Sequence, residues 1–422
     1  MSVLGEPGWG LLLAAGLALE DARRDPLRAA ALLAKRRKGD DASRRAAALE
    51  LVTEGVKLAE KVGAFDRLLA VRGAVEQATS GRVATWHAQR IPDGARVVEI
   101  GCGCGGDTLA LAHRARNLIA TDTDPVRAAC THMNLAALGL SNARAVPGDG
   151  FDVLATEGGD ADVVFVDPDR RPGGERTLDP EAWAPPISML VDLARGREVA
   201  AARDDASTGT SSRPPSDAGA RHPDGRRRVL VKAAPSLDAD RVADAFDVAY
   251  VSHGGECVEA FLESRDDLAA PQRVRAVLLP DDGPSIELEG DRGDAPVGPV
   301  GDAILVPDPA AIRAHLLREM CLRHGLTLVG DGIAWLTGPA DVACPFLGVY
   351  SVVESCEISA VPAALRRLGA RRLRVHTRGV PAAAGDLEAE WRRALDDDGD
   401  GGTLDVFVSR FLGRPSAVVA RD

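Results

Sequence analysis

The chain has 422 residues, 45% of them hydrophobic, enough for two or three globular domains. A formal net charge of −12 argues against a protein that binds polyanions over its whole surface, and aromatics at 4% leave few platforms for stacking bases. Seven cysteines, an odd number at irregular spacings with no C-x-x-C pair, fit a reducing cytoplasm and offer no metal-ligand pattern.

Residues 1–90 read as a helical N-terminal domain, rich in Ala, Leu and Arg and without strand-like alternation. The apolar run Trp9–Leu19 is short for a membrane span. No basic residue precedes it and Glu20-Asp21 follow at once, so it predicts an amphipathic or buried helix rather than a signal peptide. From Arg23 to Arg45 the chain is basic, with Lys35-Arg36-Arg37-Lys38 at the centre. A solvated helix face is the simpler reading of this stretch and a nucleic-acid contact the alternative. Pro92-Asp93-Gly94 is a turn that opens a second domain, 91–280.

From Ala95 strand and helix alternate, which implies parallel strands joined by right-handed crossovers. Strands are expected near 96–100, 118–121, 143–146, 162–166, 228–232, 247–251 and 273–279. Asp124 can cap the helix after the second strand, Pro125 suits its first position and Gly139 its end. The first strand ends on Glu99 and breaks into a glycine loop with Gly101, Gly103, Gly105 and Gly106, closed by Asp107; the second ends on Asp122. Gly101, Gly103 and Gly106 also match the G-x-G-x-x-G spacing of a dinucleotide site, with Asp122 about 20 residues on as a ribose-binding acid. Three features favour S-adenosylmethionine instead. Glu99 stands where a carboxylate can hold a cationic methionine end. Asp149 follows the third strand, placed to accept from an adenine amino group. The fourth strand runs into Asp167-Pro168-Asp169-Arg170-Arg171. Acid, glycine loop, acid, acid and Asp-Pro, each at a strand end and in this order, resemble the class I methyltransferases. On that resemblance the cofactor ligands are Glu99, Gly101, Gly103, Gly105, Asp107, Asp122, Asp149 and Asp167.

Methyl transfer from a sulfonium is an in-line displacement, so alignment of the acceptor supplies much of the rate. Asp167 is the candidate for positioning the acceptor or taking its proton. Asp169 and Arg170 stand beside it, where amino-group methylators carry a second proline and an aromatic residue. Arg170 and Arg171 can hold a phosphate or an acid; the alternative is an ion pair with Asp179 or Glu181. Lys232, at the end of the fifth strand, faces the same crevice and can touch substrate or pair with an acid. Cys257 sits in an apolar run and reads as buried structure rather than a nucleophile, and the lone His87 and His253 receive no role. Residues 196–228, rich in Ser, Asp, Pro, Gly and Arg, read as a disordered insertion. Residues 281–302 read as a linker. Beyond it, 303–422 reads as a small α+β domain with a helix at 309–325, the acid-free segment Arg366–Arg378, a helix at 387–395 and a final strand, TLDVFVSRF.

Several segments converge on a narrower family. They are Glu76-Gln77-Ala78-Thr79, Gly105-Gly106-Asp107, Asp167-Pro168-x-Arg170-Arg171, Asp179-Pro180, Pro185-Pro186, Lys232-Ala233-Ala234-Pro235, Gly255-Glu256-Cys257 and Arg378-Gly379. Together they resemble bacterial class I methyltransferases that carry a C-terminal THUMP-like domain, of an actinobacterial type. Position 169 departs from that pattern, an Asp where a small residue is expected. The resemblance implies a Rossmann-like seven-stranded α/β sheet between the helical N-terminal domain and the THUMP-like α+β domain. It also implies S-adenosylmethionine as cofactor and RNA, tRNA or rRNA, as substrate. The terminal basic segments are the expected RNA contacts, and the cysteine usage and short apolar run lead to the expectation of a cytoplasmic protein without metal or membrane. A methyltransferase for a small molecule or a protein, and a non-catalytic RNA-binding protein that retains the fold, are the alternatives.

Overall fold

The computed structural model describes residues 6–63, 68–171, 174–175, 177–197, 221–395 and 402–422. It divides into two compact units, 1–248 with 260–272, and 249–259 with 273–422. These boundaries differ from the expected cuts at 90, 280 and 302: the N-terminal helices belong to the first unit, with the sheet that follows them.

The first sheet contains β1 (Arg96–Ile100), β2 (Asn117–Asp122), β3 (Ala143–Pro147), β4 (Val163–Val166), β5 (Arg228–Ala233), β6 (Phe246–His253), β7 (Glu256–Ser264), β8 (Val274–Leu279) and β9 (Ile286–Leu288). Their order is β3-β2-β1-β4-β5-β7-β6-β8-β9, nine strands where seven were expected. β3, β2, β1, β4 and β5 are mutually parallel and β7 runs antiparallel to β5. Val97, Val98 and all of Val163–Val166 are buried. Parallel strands covered on both faces need such unbroken apolar runs. The strand expected near 273–279 forms as β8, and β7 is an unexpected strand inserted before it, between β5 and β6 in the sheet. β6 turns back through Gly254 and Gly255, both at positive φ (62° and 82°), the geometry of a two-residue hairpin. The helix Pro125–Ala137 starts and ends as predicted: Asp124 accepts from Val126 N at 2.8 Å, and Gly139 sits at φ 71°.

Two expected flexible segments are packed where they are described. Within 196–228, residues 198–220 lie outside the described residues. Arg221, however, pairs with Asp162, and His222 is buried between Asp266 and Ser264, both at 2.7 Å. Within 281–302, β9 pairs with β8, Val297 bridges to Leu328, and Asp291 pairs with Arg318 at 2.8 Å.

The second sheet contains β10 (Ala303–Pro307), β11 (Thr327–Leu328), β12 (Leu336–Gly338), β13 (Leu347–Cys356), β14 (Arg372–Thr377), β15 (Thr403–Phe411) and β16 (Arg414–Arg421), in the order β11-β12-β10-β13-β16-β15-β14. TLDVFVSRF is therefore not the final strand: the chain turns at Leu412-Gly413 and returns as β16. The expected helix at 309–325 is two, Pro309–Arg313 and Leu317–His324, interrupted at His315 with φ 58°. β15 alternates between two cores. Leu404, Val406 and Val408 enter one, with Leu365, Leu373 and Trp391; Phe407 and Phe411 enter the other, with Ile304 and Trp335. The period of two in a strand delivers that division.

Candidate functional site

The site forms at the carboxyl ends of β1, β2, β4 and β5, within the first unit. After β1 the chain enters the glycine loop, where Gly101, Gly103 and Gly105 have φ of 86°, 57° and 98°. A Cβ on Gly101 would meet the Asp167 carbonyl oxygen at 2.4 Å, so this close approach requires glycine. The loop is held from three sides. Gly101 N and Cys102 N both donate to Thr121 O at 2.9 Å, and Gly103 N donates to Asp122 Oδ2 at 2.9 Å. From the helix Pro125–Ala137, Thr131 Oγ1 donates to Gly103 O at 2.9 Å, and Asn134 Nδ2 donates to Cys104 O at 3.0 Å and Leu69 O at 2.9 Å.

Asp122 ends β2, is nearly buried, and accepts a second hydrogen bond from Asp124 N at 2.9 Å. Burial raises its carboxyl above the ordinary value against the pull of these two N–H donors. Asp149 is exposed after β3 and caps the helix Gly150–Thr156 through Phe151 N at 2.8 Å.

The centre of the site is a buried ionic cluster. Lys232 Nζ donates to Thr79 Oγ1 at 2.7 Å, to Asp107 Oδ2 at 2.8 Å and to Asp167 Oδ2 at 2.5 Å. Thr79 Oγ1 in turn donates to Asp107 Oδ2 at 2.6 Å, and His87 Nδ1 faces Asp107 Oδ1 at 2.7 Å. The fully buried His87 ring stacks on Phe261, with centroids 4.6 Å apart and planes at 13°. Burial is the largest influence on Asp107 and acts upward, but Lys232 and His87 together hold its carboxyl well below the usual range. Asp167 is the opposite case: burial raises it, and Lys232 recovers part of the shift. Glu99, 1% exposed on β1, is pushed up to about 8 by burial and by the nearby Asp107.

Two carboxylates thus meet one ammonium group, Glu99 lies within their electrostatic reach, and Glu99 Oε2 is buried without a hydrogen-bond partner. An orphaned carboxyl oxygen beside a glycine cradle is suited to a ligand with N–H groups, and a ligand cation favours its ionised form. The residues present therefore fit S-adenosylmethionine: the loop for close backbone approach, Asp122 at the end of β2, and Glu99 for positive charge.

The expected site residues fall into two groups. Glu99, Gly101, Gly103, Gly105, Asp107, Asp122, Asp167 and Lys232 come together, whereas Asp149, Asp169 and Arg171 are exposed at its edge. For Lys232 the structure shows the acid pairing that the sequence offered beside a substrate contact: its ammonium group has three donors, and Thr79, Asp107 and Asp167 each accept one. Asp107 spends both carboxylate oxygens on His87, Thr79 and Lys232. Asp169 Oδ1 accepts from Arg171 N at 2.8 Å, and its backbone bridges to Ala184, so it shapes its own loop. The alternative pairing of Arg170 and Arg171 with Asp179 or Glu181 is not formed: Asp179 lies 3.7 Å from Arg241, and Glu181 accepts from Ser188 Oγ at 2.8 Å. Arg170 Nη1 is buried and has no hydrogen-bond partner. Cys257 lies in β7 and is half-buried rather than buried as expected; its thiol is pushed up to about 12 chiefly by desolvation. Sequence reasoning gave no role to Thr79, His87 or Asn134. Thr79 carried a signal, as the last residue of the Glu-Gln-Ala-Thr motif; a lone histidine and a helical asparagine carried none.

Comparison with known proteins agrees with this geometry. The profile of a family described as RNA cap guanine-N2 methyltransferase matches residues 94–176. Two uncharacterised S-adenosylmethionine-dependent methyltransferases of Mycobacterium tuberculosis, from strains CDC 1551 and H37Rv, are each 32% identical over 286 residues, 67% of this chain and 68% of theirs. The crystal structure of a proposed methyltransferase from Porphyromonas gingivalis W83 superposes with a TM-score of 0.71 at 17% identity, over 98% of both chains. Among the described residues no helix is long and apolar enough to cross a membrane, and no group of His, Cys, Asp and Glu is arranged to hold a metal. With this sheet, this glycine loop and these relatives, the chain belongs to the class I S-adenosylmethionine-dependent methyltransferases.

Proposed function

We propose that the enzyme methylates RNA, with the acceptor held at Asp167. The observation that carries this reading is the match to an RNA methyltransferase family over 94–176, the stretch that includes both the glycine loop and Asp167–Arg171. Bound S-adenosylmethionine supplies an electrophilic methyl group, and the protein's task is alignment. Glu99, Asp122 and Asp149, with Gly101, Gly103 and Gly105, hold the cofactor. Asp167, whose side chain is 28% exposed, accepts a hydrogen bond from the acceptor N–H and turns its lone pair toward the methyl group. Arg170 and Arg171 hold the flanking phosphate. Arg170 supports that role through its buried, unpartnered Nη1, Arg171 through its exposure. The second unit is read as a THUMP-like RNA-recruiting domain, and the enzyme as cytoplasmic.

A small-molecule or protein acceptor is the second reading, because the basic segment Arg366–Arg378 is partly neutralised. Arg367 pairs with Glu354, and Arg374 with Asp405 and Asp422. Transfer of labelled methyl from S-adenosylmethionine separates the two readings. The enzyme is given RNA, protein and small-molecule fractions from a strain lacking it. Label in RNA that is lost on ribonuclease treatment is the expected result; label confined to protein or small molecules overturns the RNA reading.

A further inference from the structure

We infer that Lys232 is a positioning residue for methyl transfer: its ammonium group anchors the Asp167 carboxylate to Asp107 and keeps it charged and aimed at the acceptor. This rests on the reading of Asp167 as the acceptor-positioning group.

Asp167 follows the last residue of β4 on a loop that continues into exposed residues, so its side chain needs an external tether. Lys232 reaches it at 2.5 Å from β5, the neighbouring strand, whose buried register fixes the lysine stem. The ammonium group is in turn immobilised by Asp107 and Thr79, and Asp107 by His87. A chain His87–Asp107–Lys232–Asp167 thus runs from a buried ring to a partly exposed carboxylate. Asp107 is its fixed anion and Asp167 its working one.

Electrostatics point the same way. The groups acting on Asp167 are Lys232 from β5, Asp107 from the glycine loop and Arg170 from its own loop. Glu99 on β1 is also in the field of Asp107, Lys232 and Asp167, His87 acts on Asp107, and Lys61 is in the field of Lys232 and Glu76. Burial and Asp107 both drive Asp167 toward its neutral form. Lys232 is the chief opposing influence. A protonated Asp167 has an O–H that competes as a donor where an acceptor N–H must be received.

The test measures methyl transfer to bulk RNA from a strain lacking the enzyme, across pH, for the parent, Lys232→Met, Lys232→Arg, Asp167→Ala and the double variant Lys232→Met/Asp167→Ala. Lys232→Met is expected to lower kcat about 10²-fold near neutral pH. Its acid limb is expected to move to higher pH, so that part of the activity returns in alkaline buffer. Lys232→Arg is expected to restore the parent's acid limb. In the Asp167→Ala background, Lys232→Met is expected to add nothing, because the two residues act as one unit. An equal loss at every pH, or an undiminished loss in the Asp167→Ala background, overturns the inference and leaves Lys232 a structural ion pair. Asp167→Ala within a few-fold of the parent overturns the underlying reading of Asp167 instead. Should Lys232→Met not fold, Lys232→Met/Asp107→Asn removes one charge of each sign, and its acid limb is read against Asp107→Asn alone. The same alkaline shift supports the inference and its absence overturns it.

Discussion

Each unit of this protein contains a buried aspartate that grips a histidine stacked on a phenylalanine. In the first, Asp107 meets His87 at 2.7 Å and His87 stacks on Phe261 at 4.6 Å and 13°. In the second, Asp405 meets His376 at 2.7 Å and His376 stacks on Phe407 at 4.5 Å and 13°. The two differ in what surrounds the aspartate. Asp405 receives Arg374 Nε and Nη2 at 2.9 and 2.8 Å, and Arg374 also reaches Asp422 at 3.0 Å. Its partners are partly exposed, Arg374 at 49% and His376 at 32%. Around Asp107 the partners are sealed, His87 at 0% and Lys232 at 10%; a second carboxylate, Asp167, meets the same ammonium group, and Glu99 lies within its electrostatic reach. One cluster is saturated within itself. The other holds a third acid, Glu99, raised to about 8 and with Oε2 lacking a hydrogen-bond partner, and that unsatisfied acid distinguishes the candidate site.

The largest expected difference is in stability. Asp107→Ala strips a partner from the buried His87 and Lys232 at once and should cost about 3–5 kcal/mol, as for any broken buried pair. Asp405→Ala frees groups that can turn to water and should cost about 1–3 kcal/mol. Denaturant unfolding of the two variants measures both values, and equal costs would erase the contrast between a sealed and an open cluster. Next in size is cofactor affinity. Asp122→Ala should lose about 1.5–3 kcal/mol of S-adenosylhomocysteine binding, the worth of hydrogen bonds to a charged group. Asp405→Ala should lose none, and calorimetry on the two variants decides it.

Local motifs made half of the first cluster legible. Gly101, Gly103, Gly105, Glu99, Asp122 and Asp167 stand at strand ends, and each strand announces itself by an apolar run. The other half is written in contacts that sequence spacing does not encode. Lys232 meets Asp167, Asp107 and Thr79 across 65, 125 and 153 positions. Its pairing became visible once β5 lay beside β4. β7 escaped notice because Glu256, Glu259 and Glu263 interrupt its apolar pattern, although Gly254-Gly255 before it is a hairpin signal. In the second unit the six arginines from Arg366 to Arg378 read as a free basic surface because Glu354 on β13, Asp405 on β15 and Asp422 just after β16, which pair with two of them, are distant in sequence.

A smaller effect separates the clusters by pH. Glu99 has its carboxyl raised from 4.5 to about 8, so between these values the folded protein holds a proton that the unfolded chain has lost. Its contribution to stability is complete below that window and declines as pH rises through it. Asp107, held low, gives the reverse: its contribution is present above the ordinary carboxylate range and fails in acid. Glu99→Gln should therefore remove part of the alkaline loss seen in thermal unfolding, leaving the acid loss in place. S-adenosylmethionine should bind the parent more tightly as pH approaches about 8, where its cation meets an ionised Glu99, and this trend should vanish in Glu99→Gln. A parent whose stability is level across the window would remove Glu99 as the uncompensated acid.

The smallest effect tests how far saturation extends over the second unit. Arg366, Arg371 and Arg372 are exposed and make no ion pair among the described residues, unlike Arg367 and Arg374. If RNA is recruited here, the unpaired arginines meet its phosphates and the paired ones maintain the fold. Each phosphate contact to a single strand contributes about −0.7 to the slope of log affinity against log salt. Replacing Arg366, Arg371 and Arg372 with Ala should flatten that slope by about 2 and weaken binding across sequences, without altering cofactor affinity. Arg374→Ala should leave the slope unchanged and lower the melting temperature instead. Anisotropy of a labelled single-stranded RNA over a salt series reads both variants. A parent without salt-dependent binding would mean that these arginines solvate a strand and helix surface, and the small-molecule or protein acceptor would then take precedence over RNA.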